Sequence, residues 1–417
     1  MKNQRPSYLA PRESDLVMAH SFTPQVGAGA LAQRLAGIGL YEPIALSIHL
    51  PFDDSEAQTS RYLDGLLDEM RLAAKAMAGC GRVVHIQFKG SRATALKVDH
   101  LSRVLDEIER QFGLTDETSL ALEINPRVVS YQDAEDLSRL GITQVSLAVY
   151  DFSPAVQRAL GQVQPARMVT EVVAAFRVVG IFEIGFEMAY GLPNQSVRSI
   201  EKSILQAVDI KPDQVVLAGP EPKGAQAGTC DALMKAAQQM LTNQGYSMIG
   251  FNHFALPGSS LAQAACQGRL KHSLQGFSDT PAKVTIGFGA AAISQFPNAI
   301  IQNEPDVAKY YEALASAKLP AARGVHLSRE DQLRAAVIDD LLCHLETDLA
   351  KHCSHFNVKL SALDAALKAL DPFASKGVVT IRESVIRIPE PGRAMAQRVA
   401  NVFDVQKPTH TQLSSAL

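Results

Sequence analysis

Five cysteines, eleven histidines and 43 carboxylates are the side chains that could hold a metal or move protons in this 417-residue chain. Their spacing excludes more chemistry than it supports. Cys80, Cys230, Cys266, Cys343 and Cys353 stand singly, with no CxxC or CxxxC pair. That dispersal fits neither a zinc site nor a disulfide framework and reads as reduced thiols of a cytoplasmic protein. Asp53, Asp54 and Glu56 offer hard oxygen ligands, so the cation they would favour is not an iron–sulfur centre. The same residues also read as an acidic turn capping a helix that begins near Ser60, and no metal site is expected. Glu123 closes a β-rich run, where it meets a polar ligand or forms a salt bridge.

The elements that must position these residues follow from hydrophobic spacing. Strand-like runs cover Ile44–His49, Val83–Phe88, Leu120–Ile124, Gln144–Ala148, Glu183–Met188 and Gln214–Leu217. Between them lie segments of helical period, at Tyr62–Met77, Leu101–Phe112, Ala166–Val179, Val197–Val208 and Cys230–Gln244. Connections this long imply parallel strands and right-handed crossovers, hence a partial (βα)6 barrel or, alternatively, a doubly wound sheet. Either fold collects ligands at the carboxyl ends of its strands. After Ser294 the pattern changes to a helix at Asp306–Ala317, a long amphipathic helix at Ser328–His352, a shorter one at Leu360–Leu370, and two β-like runs. The expected organisation is an arm (1–40), a barrel (41–295), a small C-terminal α+β domain (296–405) and a tail (406–417).

Bulk composition narrows the partners. Net charge is −3 and aromatics are 6%, with no Trp, so nucleic acid is not expected. No stretch reaches the ~20 apolar residues of a membrane span, and the first residues have no apolar signal-like core.

Seven blocks occur in a telling order: ALSIHLPF (45–52), LEINPR (122–127), VSLAVYDF (145–152), FEMAYGLP (186–193), GFNHFA (250–255), QGF (275–277) and GFGAAAIS (287–294). In this order and spacing the chain resembles the oxygen-independent coproporphyrinogen III oxidases, which are radical SAM enzymes, from about residue 40 to 405. The resemblance implies a partial barrel of the radical SAM type with a small C-terminal α+β domain. In that family the PF pair is followed at once by CxxxCxxC, whose thiolates hold a four-iron cluster. Here Phe52 is followed by Asp-Asp-Ser-Glu-Ala-Gln, without a thiol.

The positions that approach SAM in the family have changed as well. Its glycine turn after the second strand corresponds to Lys89-Gly90-Ser91-Arg92-Ala93, which keeps one glycine and adds two cations. By the same correspondence Ser47 replaces a tyrosine, Tyr150 a glutamine, Gln162 an arginine and Glu187 an aspartate, while Glu123 is retained. Ala291 and Ile293 fall in the segment that lines the family's substrate cavity. Lys89 and Arg92 are placed to meet an anionic ligand such as a propionate, or are surface charges. His49 and His253 are candidate haem ligands or hydrogen-bonded core residues.

These departures imply a relative that lacks the four-iron cluster and SAM chemistry and is not an active radical enzyme. The expected role is a binder of haem or another porphyrin, or a regulator that pairs with a protein of haem metabolism. The alternative is a repurposed enzyme with Glu123, Glu187 and Tyr150 as acid–base groups at the barrel mouth. The remaining alternative is the oxidase activity of the family itself, for which this sequence lacks the electron source.

Overall fold

The structure, a computed structural model, describes residues 22–50, 55–89, 97–219, 227–273 and 276–404. After α1 (Ala28–Ala36) the six expected strands follow, each longer than expected by a residue or two. They are β1 (Pro43–His49), β2 (Arg82–Lys89), β3 (Ser119–Ile124), β4 (Gln144–Tyr150), β5 (Glu183–Ala189) and β6 (Gln214–Ala218). Between them run α2 (Glu56–Met77), α3 (Val98–Phe112), α4 (Tyr131–Arg139), α5 (Pro154–Leu160), α6 (Ala166–Val178) and α7 (Val197–Ile210). The strands pair in parallel and in sequence order. A doubly wound sheet reverses its strand order part-way, so this order is the winding of a barrel.

The sheet continues on both sides. Beyond β6, after α8 (Ala227–Asn243), come β7 (Ser247–Ile249) and β8 (His253–Ala255) in antiparallel pairing. Past α9 (Ser260–Cys266) and the hairpin β9 (Lys271–Ser273) and β10 (Gly276–Ser278), the chain returns as β11 (Val284–Phe288), parallel to β1. Antiparallel β12 (Ile293–Phe296), β13 (Ala299–Asn303) and, after α10 (Val307–Ala315), β14 (Ala321–His326) complete twelve strands among the described residues. The sheet therefore runs past residue 295 to His326. Thr23 pairs with Gly324 on the β14 edge, which covers part of an otherwise open strand.

Strict alternation divides the two faces of β3 to β6. Leu120, Leu122, Val145, Leu147, Ile184, Phe186, Val215 and Leu217 are buried under the helices, and every intervening residue is only half-buried. The apolar side is the main core; the other is the inner face.

The predicted long helix over Ser328–His352 is two helices, α11 (Arg329–Cys343) and α12 (Leu349–Phe356). Leu345 takes a left-handed backbone (φ 59°), and β15 (Glu346–Asp348) then pairs with β17 (Val385–Arg387), itself paired with β16 (Thr380–Arg382). Asp348 caps α12 by accepting from the Ala350 and Lys351 amides at 3.0 and 3.3 Å. Apolar spacing continues across the break, which is why the sequence reads as one helix. This unit has its own core of Leu333, Val337, Leu341, Phe373, Ile386 and Phe403. Arg393 docks it on the sheet edge by donating to the Met248 carbonyl at 2.9 Å. Among the described residues no helix is long and apolar enough to cross a membrane.

Candidate ligand site on the inner face of the sheet

The half-buried face is made of small and polar residues. On β3 and β4 it reads Ser119, Ala121, Glu123 and Gln144, Ser146, Ala148; on β5 and β6 it reads Glu183, Gly185, Glu187 and Gln214, Val216, Ala218. A closed parallel barrel fills this position with bulky branched side chains. Here a single branched aliphatic, Val216, lies among twelve positions of these strands, and all twelve are half-buried.

Most sequence candidates lie on this face. At its β1 end His49 pairs in register with Lys89 of β2, and Ser47 with Gln87. Burial first, and then the Lys89 charge, push the His49 imidazole down to about 4, so it is neutral at pH 7. Ser47 is 1% exposed and its hydroxyl has no hydrogen-bond partner among the described residues. At the other end Ala148, Glu187, Val216 and His253 form one row across β4, β5, β6 and β8. Glu123 instead aligns with Ser146. It is two strands from Glu187 and a pleat away, a backbone separation of roughly 12 Å, so the two carboxylates are not side by side.

His253 is held in one tautomer. The Asn252 amide donates to the Leu217 carbonyl at 3.3 Å, which turns its Oδ1 toward His253 Nδ1 at 3.1 Å. The proton therefore sits on Nδ1 and Nε2 is the acceptor. Burial, reinforced by His272, pushes His253 down to about 3. Phe277 packs against both His253 and His272, at 5.2 and 4.8 Å between ring centres.

Other candidates lie elsewhere. Tyr150 is buried at the end of β4 with Val156, Ala189 and Leu192, at φ 60°. Its neighbour Asp151 accepts from Ser203 Oγ (2.7 Å), the Ser153 amide (2.5 Å) and Gln195 Nε2 (2.7 Å). Gln195 also donates to the Ala189 carbonyl, so this bracket sets the Tyr190–Pro193 turn. Gln162 is buried just past α5, beside Gln164, whose amide donates to Ala148 O at 3.0 Å. A separate cleft of about 370 Å³ between α5 and α7, lined by Ser153, Ser196, Arg198 and Lys202 among others, contains none of the candidates.

Ser55 caps α2, and the helix begins at Glu56, ahead of the expected start near Tyr62. Glu56 pairs with Lys97 (2.7 Å) and His100 (3.2 Å), which accounts for its charge. Asp53, Asp54 and Arg92 lie outside the described residues, and so does Gln275. Ala291 sits at φ 60° in the β11–β12 turn, and Ile293 starts β12. This segment is glycine-rich for packing reasons. A Cβ on Gly287 would meet the Ile293 backbone at 2.5 Å, and one on Gly289 (φ 103°) would meet Tyr62 Oη at 2.4 Å.

One group escaped the sequence reading. Glu69 of α2 is 1% exposed and accepts from the Gly289 amide (2.8 Å), Asn303 Nδ2 (2.6 Å) and Tyr310 Oη (2.7 Å). Tyr62, two turns earlier, donates to His49 O and accepts from the Ala290 amide. The available signal was a carboxylate on the buried stripe of α2, with Tyr62, Leu66 and Ala73.

The five thiols do not fit an iron–sulfur cluster. Cys80 precedes β2 at the amino end of the sheet, and Cys230, Cys266, Cys343 and Cys353 lie on α8, α9, α11 and α12. Cluster ligation needs several thiolates gathered at one place.

No protein-family profile matches the chain. It is homologous to proteins named oxygen-independent coproporphyrinogen III oxidase. That of Bradyrhizobium diazoefficiens is 28% identical over 97% of this chain and 96% of the relative. That of Cereibacter sphaeroides is 29% identical over 94% of each. Among solved structures, the coproporphyrinogen III oxidase (HemN) of Escherichia coli, described as a radical SAM enzyme, superposes with a TM-score of 0.85. It is 23% identical and covers 92% of this chain and 95% of that one. The fold is thus the partial barrel of the radical SAM type with its C-terminal α+β unit.

Proposed function

We propose that this homologue of the coproporphyrinogen III oxidases binds a tetrapyrrole on the inner face of its half-barrel without performing cluster-based radical chemistry. The observation that carries the reading is the pairing of two features: an open floor of small side chains and the absence of clustered thiols. The relatives' name supplies the ligand class. A broad, flat ligand suits a floor of Ala121, Ser146, Gly185 and Val216, because short side chains leave room above the sheet. Lys89 at the β2 end would meet a carboxylate, and the buried Ser47 hydroxyl would gain a partner. His253 would accept a ring N–H or meet a bound metal through Nε2. The protein then acts as a carrier, sensor or partner of an active oxidase.

Anaerobic absorbance titrations with haemin, coproporphyrin III and SAM test this reading. Saturable one-to-one binding of a tetrapyrrole, with no response to SAM, is expected. Cluster absorption and SAM turnover after treatment with iron and sulfide would overturn it, and so would failure of both tetrapyrroles to bind.

A further inference from the structure

His253 belongs to β8, but the ring that packs against its imidazole comes from another part of the fold. Phe277 stands on the short hairpin β9–β10, opposite His272 in the register. Its ring meets His253 at 75° with centres 5.2 Å apart, His272 at 4.8 Å and Phe251 at 6.0 Å. A missing side chain completes the socket: Gly250 adopts φ 63°, and a Cβ there would lie 2.0 Å from Phe277 Cζ. The same ring packs against the core of the C-terminal unit and against the cluster of Ile249, Ala255 and Leu261 that joins β7, β8 and α9. The hairpin is tethered to α11, since the His272 amide donates to Asp339 Oδ1 at 2.7 Å. A line of contacts therefore runs from α11 through His272 and Phe277 to the imidazole of the ligand site.

We propose that Phe277 is a positioning residue of this site: it holds the His253 ring in the orientation that keeps the proton on Nδ1 and leaves Nε2 for the ligand, so that the C-terminal unit sets how the ligand is gripped.

Two conditions fix an imidazole in this way. An acceptor must hold Nδ1–H, and the ring must not turn. Asn252 Oδ1 meets the first condition at 3.1 Å and is aimed by the bond from its amide to the Leu217 carbonyl. It does not meet the second, because rotation of a histidine ring about its bond to Cβ is broad and roughly two-fold. A half-turn would set Cδ2 against Asn252 Oδ1 and carry Nε2 to the place of Cε1. The proton would then be free to move to Nε2, the tautomer that unconstrained imidazole prefers, and Nε2 would become a donor that can neither bind a metal nor accept from a pyrrole N–H. Phe277 meets the second condition. Its edge-on contact restrains the ring on one side, and the hairpin backbone closes on the Cε1 edge, where a Cβ on Gly276 would lie 3.8 Å away. What Nε2 meets rests on the tetrapyrrole reading; the orientation of the ring does not. A Phe277 that only filled the joint between barrel and C-terminal unit would affect stability and leave the imidazole unchanged.

Long-range ¹⁵N–¹H spectra of the histidine rings near neutral pH, with His253 assigned through His253→Gln, read the tautomer in the ligand-free protein. The Nδ1–H form is expected for the wild type and for Phe277→Tyr, which keeps the ring. Phe277→Leu fills apolar space without the edge contact and should populate the Nε2–H form about two- to tenfold more. A wild-type His253 protonated on Nε2 would overturn the positioning role without any variant having to fold, and so would a Phe277→Leu spectrum identical to that of the wild type. Haemin absorbance then reads the consequence. The wild type and Phe277→Tyr should give the spectrum of imidazole-ligated ferric haem, Phe277→Leu a smaller ligated fraction, and His253→Gln none. A ligated spectrum that survives His253→Gln would overturn the contact with Nε2 alone. Haemin that fails to bind the wild type would sink the tetrapyrrole reading, and the tautomer spectra would then decide the role of Phe277 by themselves.

Discussion

Asp151 shows how a conspicuous residue can be architectural. Its carboxylate is 1% exposed and takes three donors, two of which belong to Gln195 and Ser203 on the far side of the β5 turn. Gln195 in turn donates to Ala189 O and accepts from the Leu192 amide. Gln195→Ala therefore strips donors from two buried acceptors at once. It should cost about 1–3 kcal/mol in urea unfolding, while Gln195→Glu should cost more because it sets a second carboxylate against Asp151. A loss within error of zero would mean that the turn is held by its apolar contacts alone. At this scale the sequence was legible only where a residue's meaning is local. Ser47, Lys89, Glu187 and His253 were reached through the resemblance, whose short sequence blocks are local patterns. Glu69 could not, since its partners Gly289, Asn303 and Tyr310 lie more than 200 residues away.

Elements were read best where one period runs uninterrupted between turn residues. The six parallel strands and the helices α3, α6, α7 and α8 matched their spacing to within a few residues. The failures came where backbone conformation changes without a change in hydrophobic pattern, as at Leu345, or where capping begins a helix early, as at Ser55. The end of α2 belongs to the same class: Ala78 adopts φ 52° with its amide bonded to Ala74 O, and Gly79 follows at φ 79°. An exposed alanine in left-handed backbone is strained by about 1 kcal/mol, and glycine relieves that strain at the expense of a freer unfolded chain. Ala78→Gly is thus expected to stabilise the protein by up to about 1 kcal/mol in equilibrium denaturation, with no side-chain contact to lose. Since α2 carries both Tyr62 and Glu69, this change should also strengthen amide protection in the turn they hold. Destabilisation by the same amount would mean that the unfolded-state entropy of glycine outweighs the strain.

The molecule as a whole combines an apolar shell, legible in the sequence, with a polar interior whose openness was not. Alternation predicts which residues face the helices; it does not predict whether the opposite face closes on itself or stays wet. That depends on the winding of twelve strands and on side chains such as Ala121 and Gly185 that are too small to fill the lumen. One consequence belongs to the entire fold. Burial holds His49, His85 and His272 at about 4 and His253 at about 3. Histidines whose values are depressed on folding contribute stability that is full above 6.5 and is lost as pH falls through the folded value. Each of the first three amounts to at most about 3 kcal/mol. Glu69 acts in the opposite sense, losing its contribution as pH rises toward and through about 7. The stability profile should therefore fall steeply on the acid side below pH 6 and more gently above it, up to about pH 7.5. Replacing His85 by Gln, which can still meet Ser119 where Nδ1 now lies at 2.7 Å, should flatten the acid limb and leave the alkaline limb unchanged. If the acid limb stayed as steep, the carboxylates of the surface ion pairs and not the buried imidazoles would set acid stability. The lumen would then tolerate protonated histidines, and a neutral His253 could no longer be assumed in the recognition of its ligand.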